Sequence, residues 1–228
     1  MNKTKPDKRK EQGAETKKKL YEIAERLFLG REYIDVSVKD ITSEAGITKG
    51  AFYVHFESKD ALIALLITDY AARADMDYRA FLESLPADLP APGVLLALTE
   101  KIADILADTI GRENMKKVYQ MLLAGSAGTE AVRSYGRELY ALFQGVLDRG
   151  IRRGEIKSAL PAEILARHLV MAVRGISYEW CIRTSDFDLK KQAVEHVRLL
   201  IEGLGENAGT SVSWSPNFPA ALGQPVEG

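Results

Sequence analysis

Apolar residues recur along this chain at three- and four-residue intervals and almost never at two. Leu20, Ile23, Ala24, Leu27 and Phe28 fall at i, i+3, i+4, i+7 and i+8, the stripe of an amphipathic helix. Val38, Ile41 and Ala45 make a shorter face. Ser37 stands before it as an N-cap, with Asp40 three residues on at capping-box spacing. Gly46 falls where a helix end asks for positive φ. Thr48 is placed to cap a third helix almost at once. Ser58 is placed to cap a fourth, with Asp60 in the first turn where the helix dipole favours an anion.

The fourth helix continues through Leu62, Leu65, Leu66 and Tyr70 towards Leu82, and "PADLPAP" (86–92) ends it. The same period predicts helices over 93–110, 113–124, 128–153, 161–184 and 187–204. The breaks fall at Gly111, "GSAG" (125–128), "GEIKSALP" (154–161) and "TSDFD" (184–188). No strand-like alternation persists and no internal repeat is present. After Gly205 the chain turns rich in Gly, Ser and Pro, which predicts a disordered tail over 206–228. Trp214 and Phe218 make that tail either a weak docking motif or an uncommitted end. The expectation is an all-α chain in three segments: residues 1–59 with a basic N-terminal arm, a larger helical domain over 60–205, and the tail.

The second and third helices are separated only by "GIT" (46–48), the spacing of a helix-turn-helix that lays its second helix in the DNA major groove. Such a helix exposes one face to bases and phosphates and packs the other on its neighbours. In "GITKGAFYVHFESK" (46–59), Phe52 and Phe56 are i, i+4 neighbours for the inward face, with Ile47 anchoring the turn. Lys49 and Tyr53 share another face, beside Gly50 and Val54. Gly50 costs so short a helix about 1 kcal/mol relative to alanine, and what it offers is close backbone approach to a partner. Tyr53, His55 and Lys59 are suited to phosphates, and the fourth helix adds its N-terminal amides. Taken singly, each polar member is an ordinary surface residue; the spacing of the whole set carries the reading.

Charge sharpens this. The formal net charge is -1, yet residues 1–59 hold thirteen Lys and Arg against ten Asp and Glu, and the remainder eighteen against twenty-two. A basic end on an acidic body suits a polyanion at that end, although a solvated basic tail would look the same. The single cysteine, Cys181, excludes a disulfide framework within the chain and fits a reducing cytoplasm. Three scattered histidines (55, 168 and 196) do not make a zinc site, so no metal or other cofactor is expected. The lysine-rich start lacks the apolar segment of a signal peptide. No apolar run reaches the roughly 18 residues a membrane span needs.

The run "LYEIAERLFLGREYIDVSVKDITSEAGITKGAFYVHFESKDAL" resembles the DNA-binding segment of the TetR family of bacterial transcriptional regulators. The resemblance rests on Ala24 and Phe28, Val38 with Asp40 and Ile41, Ala45-Gly46-Ile47, Gly50, Phe52-Tyr53, His55-Phe56, and Ser58-Lys59 leading to Leu62. It implies that Ser37, Val38 and Lys39 approach the DNA backbone. It further implies that Lys49, Gly50 and Ala51 face base edges, that Tyr53 and His55 take phosphates, that Lys59 caps the site, and that Thr48 and Val54 belong to the same DNA-binding set. Two positions depart from the family. Glu32 precedes Tyr33 where members often have glycine, so that turn would be built otherwise, for instance through Gly30. Ala51 replaces a common threonine, leaving only an apolar contact such as with a thymine methyl; Lys49 becomes the stronger candidate for base readout.

The resemblance also implies a homodimer through the last two helices, reading a palindromic operator on double-stranded DNA, and an effector pocket among the middle helices. The sequence supports the dimer separately. Leu165, Leu169, Ala172, Ile176 and Trp180 form one stripe of the 161–184 helix, and Ile164, His168, Met171 and Tyr178 widen it, so the helix needs burial on more than one side. Val194, Val197, Leu200, Ile201 and Leu204 add a stripe on the last. Candidate pocket residues are Met115, Tyr119, Leu122, Phe143, Met171, Arg174, Tyr178, Trp180 and Cys181. Each is equally at home in a core or an interface, and Arg174 faces either an anionic effector or an acidic neighbour such as Glu179. The function expected is a cytoplasmic, ligand-released transcriptional repressor. The alternatives are control by a protein partner, or activation. An enzyme is not expected, because nucleotide-binding glycine loops, a Gly-x-Ser-x-Gly elbow and metal clusters are all missing from the sequence.

Overall fold

The computed structural model describes residues 8–31, 35–125, 128–183 and 187–206, and the tail from 207 and the turn at Glu32 and Tyr33 lie outside them. The described residues are helical and contain no strand, as the periodicity predicts. In chain order the helices are α1 (Lys8–Gly30), α2 (Val38–Ala45), α3 (Lys49–His55), α4 (Lys59–Ser84) and α5 (Ala91–Asp104). They continue with α6 (Arg112–Leu123), α7 (Glu130–Arg133), α8 (Glu138–Arg152), α9 (Ala162–Ile182) and α10 (Leu189–Glu206).

Local chemistry sets the first four helices. Ser37 Oγ accepts the Asp40 N–H at 3.2 Å while Asp40 Oδ2 accepts the Ser37 N–H at 2.8 Å, closing the capping box. Gly46 takes φ 67° and ψ 31°, and its N–H is donated back to the end of α2. A side chain with a Cβ meets a steric penalty in that left-handed conformation, which is why the turn stops here. Thr48 and Ser58 cap α3 and α4 by accepting the N–H groups of Ala51 and Ala61. One difference concerns α1. It begins at Lys8, well before the first apolar residue of its stripe, so the basic arm from residue 8 onward is helical.

Two apolar clusters organise the molecule. The N-terminal one gathers Leu20, Ala24, Ile41, Phe52 and Phe56 with Leu62, Ile63 and Leu66, and takes in Met121 of α6 and Val132 of α7. The larger one joins Tyr78 to the inner faces of α5, α8, α9 and α10. α4 enters both; at 1.5 Å per residue its 26 residues extend about 39 Å.

Distant contacts shape the C-terminal body more than local signals do. α5 starts at Ala91, before the predicted 93, because Glu155 from 64 residues away accepts the Ala91 N–H at 2.6 Å. α5 and α8 cross so closely that a methyl group on Gly150 would stand 2.6 Å from the Ala91 Cβ. The helix predicted to run to 110 widens into a π-helical stretch at Ile105–Ile110 before Gly111. The helix predicted over 128–153 is two. Ser134 and Arg137 are extended between α7 and α8, and Ser134 Oγ takes the Gly136 N–H. Arg137 is held there by Asp75 of α4, an ion pair that a straight helix would forgo.

Candidate nucleic-acid interface

α3 is anchored by its aromatic residues and leaves most of its other residues exposed. Phe52 has no exposed surface and Phe56 almost none, and their ring centroids lie 5.7 Å apart. Tyr53 sets its ring edge-on to Phe52 at 5.4 Å yet leaves 55% of its surface exposed; Val54 is 80% exposed. Lys49 and Gly50 are exposed beside them, while Ala51 and His55 are half-buried. A methyl group on Gly50 would meet nothing nearer than Thr48 Oγ1, at 3.8 Å. Its φ is not positive either. Neither backbone strain nor crowding among the described residues calls for glycine there.

The neighbouring candidates divide. At the head of α2, Ser37 and Lys39 are exposed and Val38 is half-buried against the N-terminal cluster. Hydrogen bonding to Ser37 holds the Asp40 carboxyl below its ordinary range. Thr48 is exposed, with its hydroxyl oxygen engaged in the cap of α3. Lys59 is half-buried, and its Nζ donates to the Val36 carbonyl at 2.9 Å. That bond ties the start of α4 to the segment entering α2, so Lys59 fixes the frame of the site as well as lying at its edge. An ammonium carries three protons, so the bond to Val36 does not by itself exhaust it.

The helical extension of α1 adds a surface that the sequence reading underused. Lys17 Nζ lies 5.6 Å from the Phe56 ring centre, and a methyl group on Gly13 would be 3.9 Å from His55 Cε1. Arg9, Lys10, Lys17, Lys18 and Lys19 are exposed along this helix. The signal was the density of basic residues before Leu20; its helical continuity lacked an apolar stripe to announce it.

Polar ties fasten this head to the body. Lys117 of α6 donates to the Phe28 and Arg31 carbonyls at 2.8 and 2.5 Å, capping the end of α1 with a cation where the helix dipole favours one. Arg73 of α4 donates to Glu25 of α1 at 3.2 Å and lies over the Tyr70 ring.

The nine candidate pocket residues converge only in part: the Tyr119 and Tyr178 rings meet edge-on at 5.5 Å, while Leu122, Phe143 and Met171 lie apart from them. Met115, Trp180 and Cys181 are buried in one small cluster, with Tyr119 packed against it. Burial pushes the Cys181 thiol up to about 11 and raises Tyr119, whose hydroxyl is bonded to Ser177 and the Arg174 carbonyl. Leu122 packs on the N-terminal cluster, and Phe143 is deep in the larger one. Met171 and Tyr178 are exposed on α9. Arg174 does not pair with Glu179: it donates to the Val132 carbonyl at 2.7 Å, and Glu179 pairs with Arg183. A groove does open elsewhere, between α4 and residues 131–138, with a volume of about 540 Å³ and none of the nine in its lining. Among the described residues no group of His, Cys, Asp or Glu is arranged to hold a metal, and no helix is long and apolar enough to cross a membrane.

Residues 20–66 match the family described as bacterial regulatory proteins, tetR family. Over most of its length the chain is similar to the HTH-type transcriptional regulator AcrR of Shigella flexneri, 26% identical over 209 residues that make up 86% of this chain and 92% of that one. It is also similar to the HTH-type transcriptional repressor BepR of Brucella suis, 28% identical over 202 residues, 86% of this chain and 94% of the other. Among solved structures, the fold matches Thermus thermophilus FadR, a TetR-family repressor in complex with lauroyl-CoA. The TM-score is 0.65 at 18% identity, covering 91% of this chain and all of that one.

Proposed function

We propose that this chain is a DNA-binding transcriptional regulator of the TetR family rather than an enzyme: a cytoplasmic homodimeric repressor released from a palindromic operator by a small molecule. The observation that carries the reading is α3: a helix fixed from behind by Phe52 and Phe56 while Lys49, Gly50, Tyr53 and Val54 stand exposed. In this reading Lys49, Gly50, Ala51 and Val54 meet base edges. Ser37, Val38, Lys39, Thr48, Tyr53, His55 and Lys59 take the phosphate backbone, and the basic start of α1 extends that contact. Phosphate contacts set position and base contacts set sequence.

The exposed apolar residues of α9 and α10 support the dimer. Met171, Tyr178 and Ile182 on one helix, and Leu199 and Leu200 on the other, leave an apolar face in the single chain. A second copy packed there would place two recognition helices on half-sites about 34 Å apart. Release works by linkage: an effector that prefers a displaced arrangement of the two heads lowers DNA affinity by that preference, tenfold for about 1.4 kcal/mol. α4, which enters both apolar clusters, and Lys117, which ties α6 to α1, are the routes by which the body repositions the head. The relative FadR, crystallised with an acyl-CoA, is a precedent for an effector in this fold.

The test is a gel shift on the DNA upstream of this protein's own gene, searched first for palindromes. Binding to one palindrome at the expense of scrambled DNA is expected. Salt-dependent binding without sequence preference would overturn the reading. A mass of one chain in size-exclusion chromatography at micromolar concentration would remove the dimer.

A further inference from the structure

The groove between α4 and residues 131–138 has the volume of a small-ligand site: about 540 Å³, against roughly 300–1,000 Å³ for such sites in general. Ala71, Ala72 and Met76 form one wall, and Ala131 and Val132 face them. Met76 is 70% exposed, a large flexible apolar side chain standing at the opening with nothing of the chain over most of it.

The four charged groups of the lining are already matched with one another. The buried Asp75 carboxylate accepts Arg137 Nε at 2.9 Å and Nη2 at 2.6 Å, a two-pronged pair. Arg79 pairs with Glu138 across the rim. None of the four offers a ligand a charge without a partner, and a charged ligand that drew Arg137 away would strand a buried carboxylate. An uncharged ligand leaves both closed. Two hydroxyls remain: Thr68 Oγ1 donates to the Ala64 carbonyl at 2.8 Å, whereas Ser134 Oγ accepts the Gly136 N–H at 2.9 Å and keeps its own proton for an acceptor.

We propose that this groove is the effector site, and that it takes an uncharged, largely apolar small molecule bearing a carbonyl or ether oxygen. The assignment rests on the reading of the chain as a ligand-released repressor. It also supplies the route. One wall is the middle of α4, and the other includes Val132, which packs into the N-terminal cluster and whose carbonyl is pinned by Arg174. A molecule seated between them bears on α4 and on the cluster behind α3 at once.

The probe is Nile red, uncharged with one ring carbonyl, titrated by fluorescence into the full chain and compared with the anionic dye 8-anilinonaphthalene-1-sulfonate. Saturable, blue-shifted Nile red emission is expected, with the anionic dye at least tenfold weaker. Ala131→Phe, which fills the groove, and Met76→Arg, which puts a charge on an exposed position of the apolar wall, should each weaken Nile red at least tenfold. Circular dichroism verifies that the variants fold, and the exposure of position 76 keeps that variant available if Ala131→Phe does not. Nile red binding that ignores Met76→Arg would overturn the site, and anionic dye binding as tightly and lost with it would overturn the ligand class. Nile red held in the groove without any fall in operator affinity would leave the site standing and sink the release reading instead.

Discussion

The head of this molecule, α1 to α3 with the start of α4, and its helical body are held together by different means. In the head, short-range chemistry decides: Ser37, Thr48 and Ser58 cap their own helices, and Gly46 turns the chain between α2 and α3. In the body, partners far apart in sequence decide. Asp75 holds Arg137 across 62 residues, Glu155 caps α5 across 64, and Arg174 holds Val132 across 42. The contrast suits the two tasks. A reading surface has to keep one shape, and local caps fix where each of its helices begins. In the proposed reading the body has to pass a displacement on to the head, and contacts between segments far apart in sequence, such as Arg174 on Val132, are what carry it.

Removing one long-range partner should cost the body most. Arg137→Met leaves Asp75 buried and alone, and should lower stability by about 3–5 kcal/mol in urea unfolding, whereas Asp75→Leu with Arg137→Met should restore most of it. Phe52→Ala should cost the head about as much, roughly 3–5 kcal/mol, because the ring has no exposed surface, and operator binding should go with it. Equal damage from Arg137→Met and Asp75→Leu/Arg137→Met would show that the pair sets the body by something other than charge.

The next effects belong to recognition. Lys49→Ala should leave folding alone and reduce discrimination at particular base pairs by about 1–3 kcal/mol, measured by gel shift on single-base operator variants. Tyr53→Phe should instead weaken all sequences alike. Unchanged sequence preference in Lys49→Ala would move base readout elsewhere on α3.

The local caps should be individually cheap. Ser37→Ala should cost about 1 kcal/mol in urea unfolding, well short of the long-range pair. The smallest effect is electrostatic. Hydrogen bonding to Ser37 lowers the Asp40 pKa from 3.8, so its contribution is present above that value and is lost as pH falls through the lowered one. Asp40→Asn should therefore flatten the fall of stability with acid below pH 3.8, followed by circular dichroism.

The same contrast governs what is legible in the chain itself. The capping box, Gly46 and the buried faces of Phe52 and Phe56 can be read because the deciding atoms lie within four residues of each other. The split between α7 and α8 cannot, because Gly136 is an ordinary helix interruption until Asp75 supplies a reason for Arg137 to leave helical geometry. Asp75 itself leaves a trace: it shares a helical stripe with Ala71, Ala74 and Tyr78, and a carboxylate in an apolar stripe demands a partner. Large apolar side chains on the middle and later helices are natural pocket candidates, yet that criterion finds packed core as readily as cavity. Small residues such as Ala71, Ala72 and Ala131 make room, and nothing in their own identity announces it. For the contact face on α3 the sequence supplies the candidates, and the exposed positions of Lys49, Gly50, Tyr53 and Val54 are consistent with them.

In the proposed reading, Gly50 puts folding and recognition at odds. The chain has room for a methyl group there, and alanine would favour α3 by about 1 kcal/mol. A screen for thermostability would therefore select alanine at this position, while selection on the operator would keep returning glycine. Position 50 is where a lineage of such proteins gives up stability it could have had, and by the same token where it can change its DNA target without rebuilding its core.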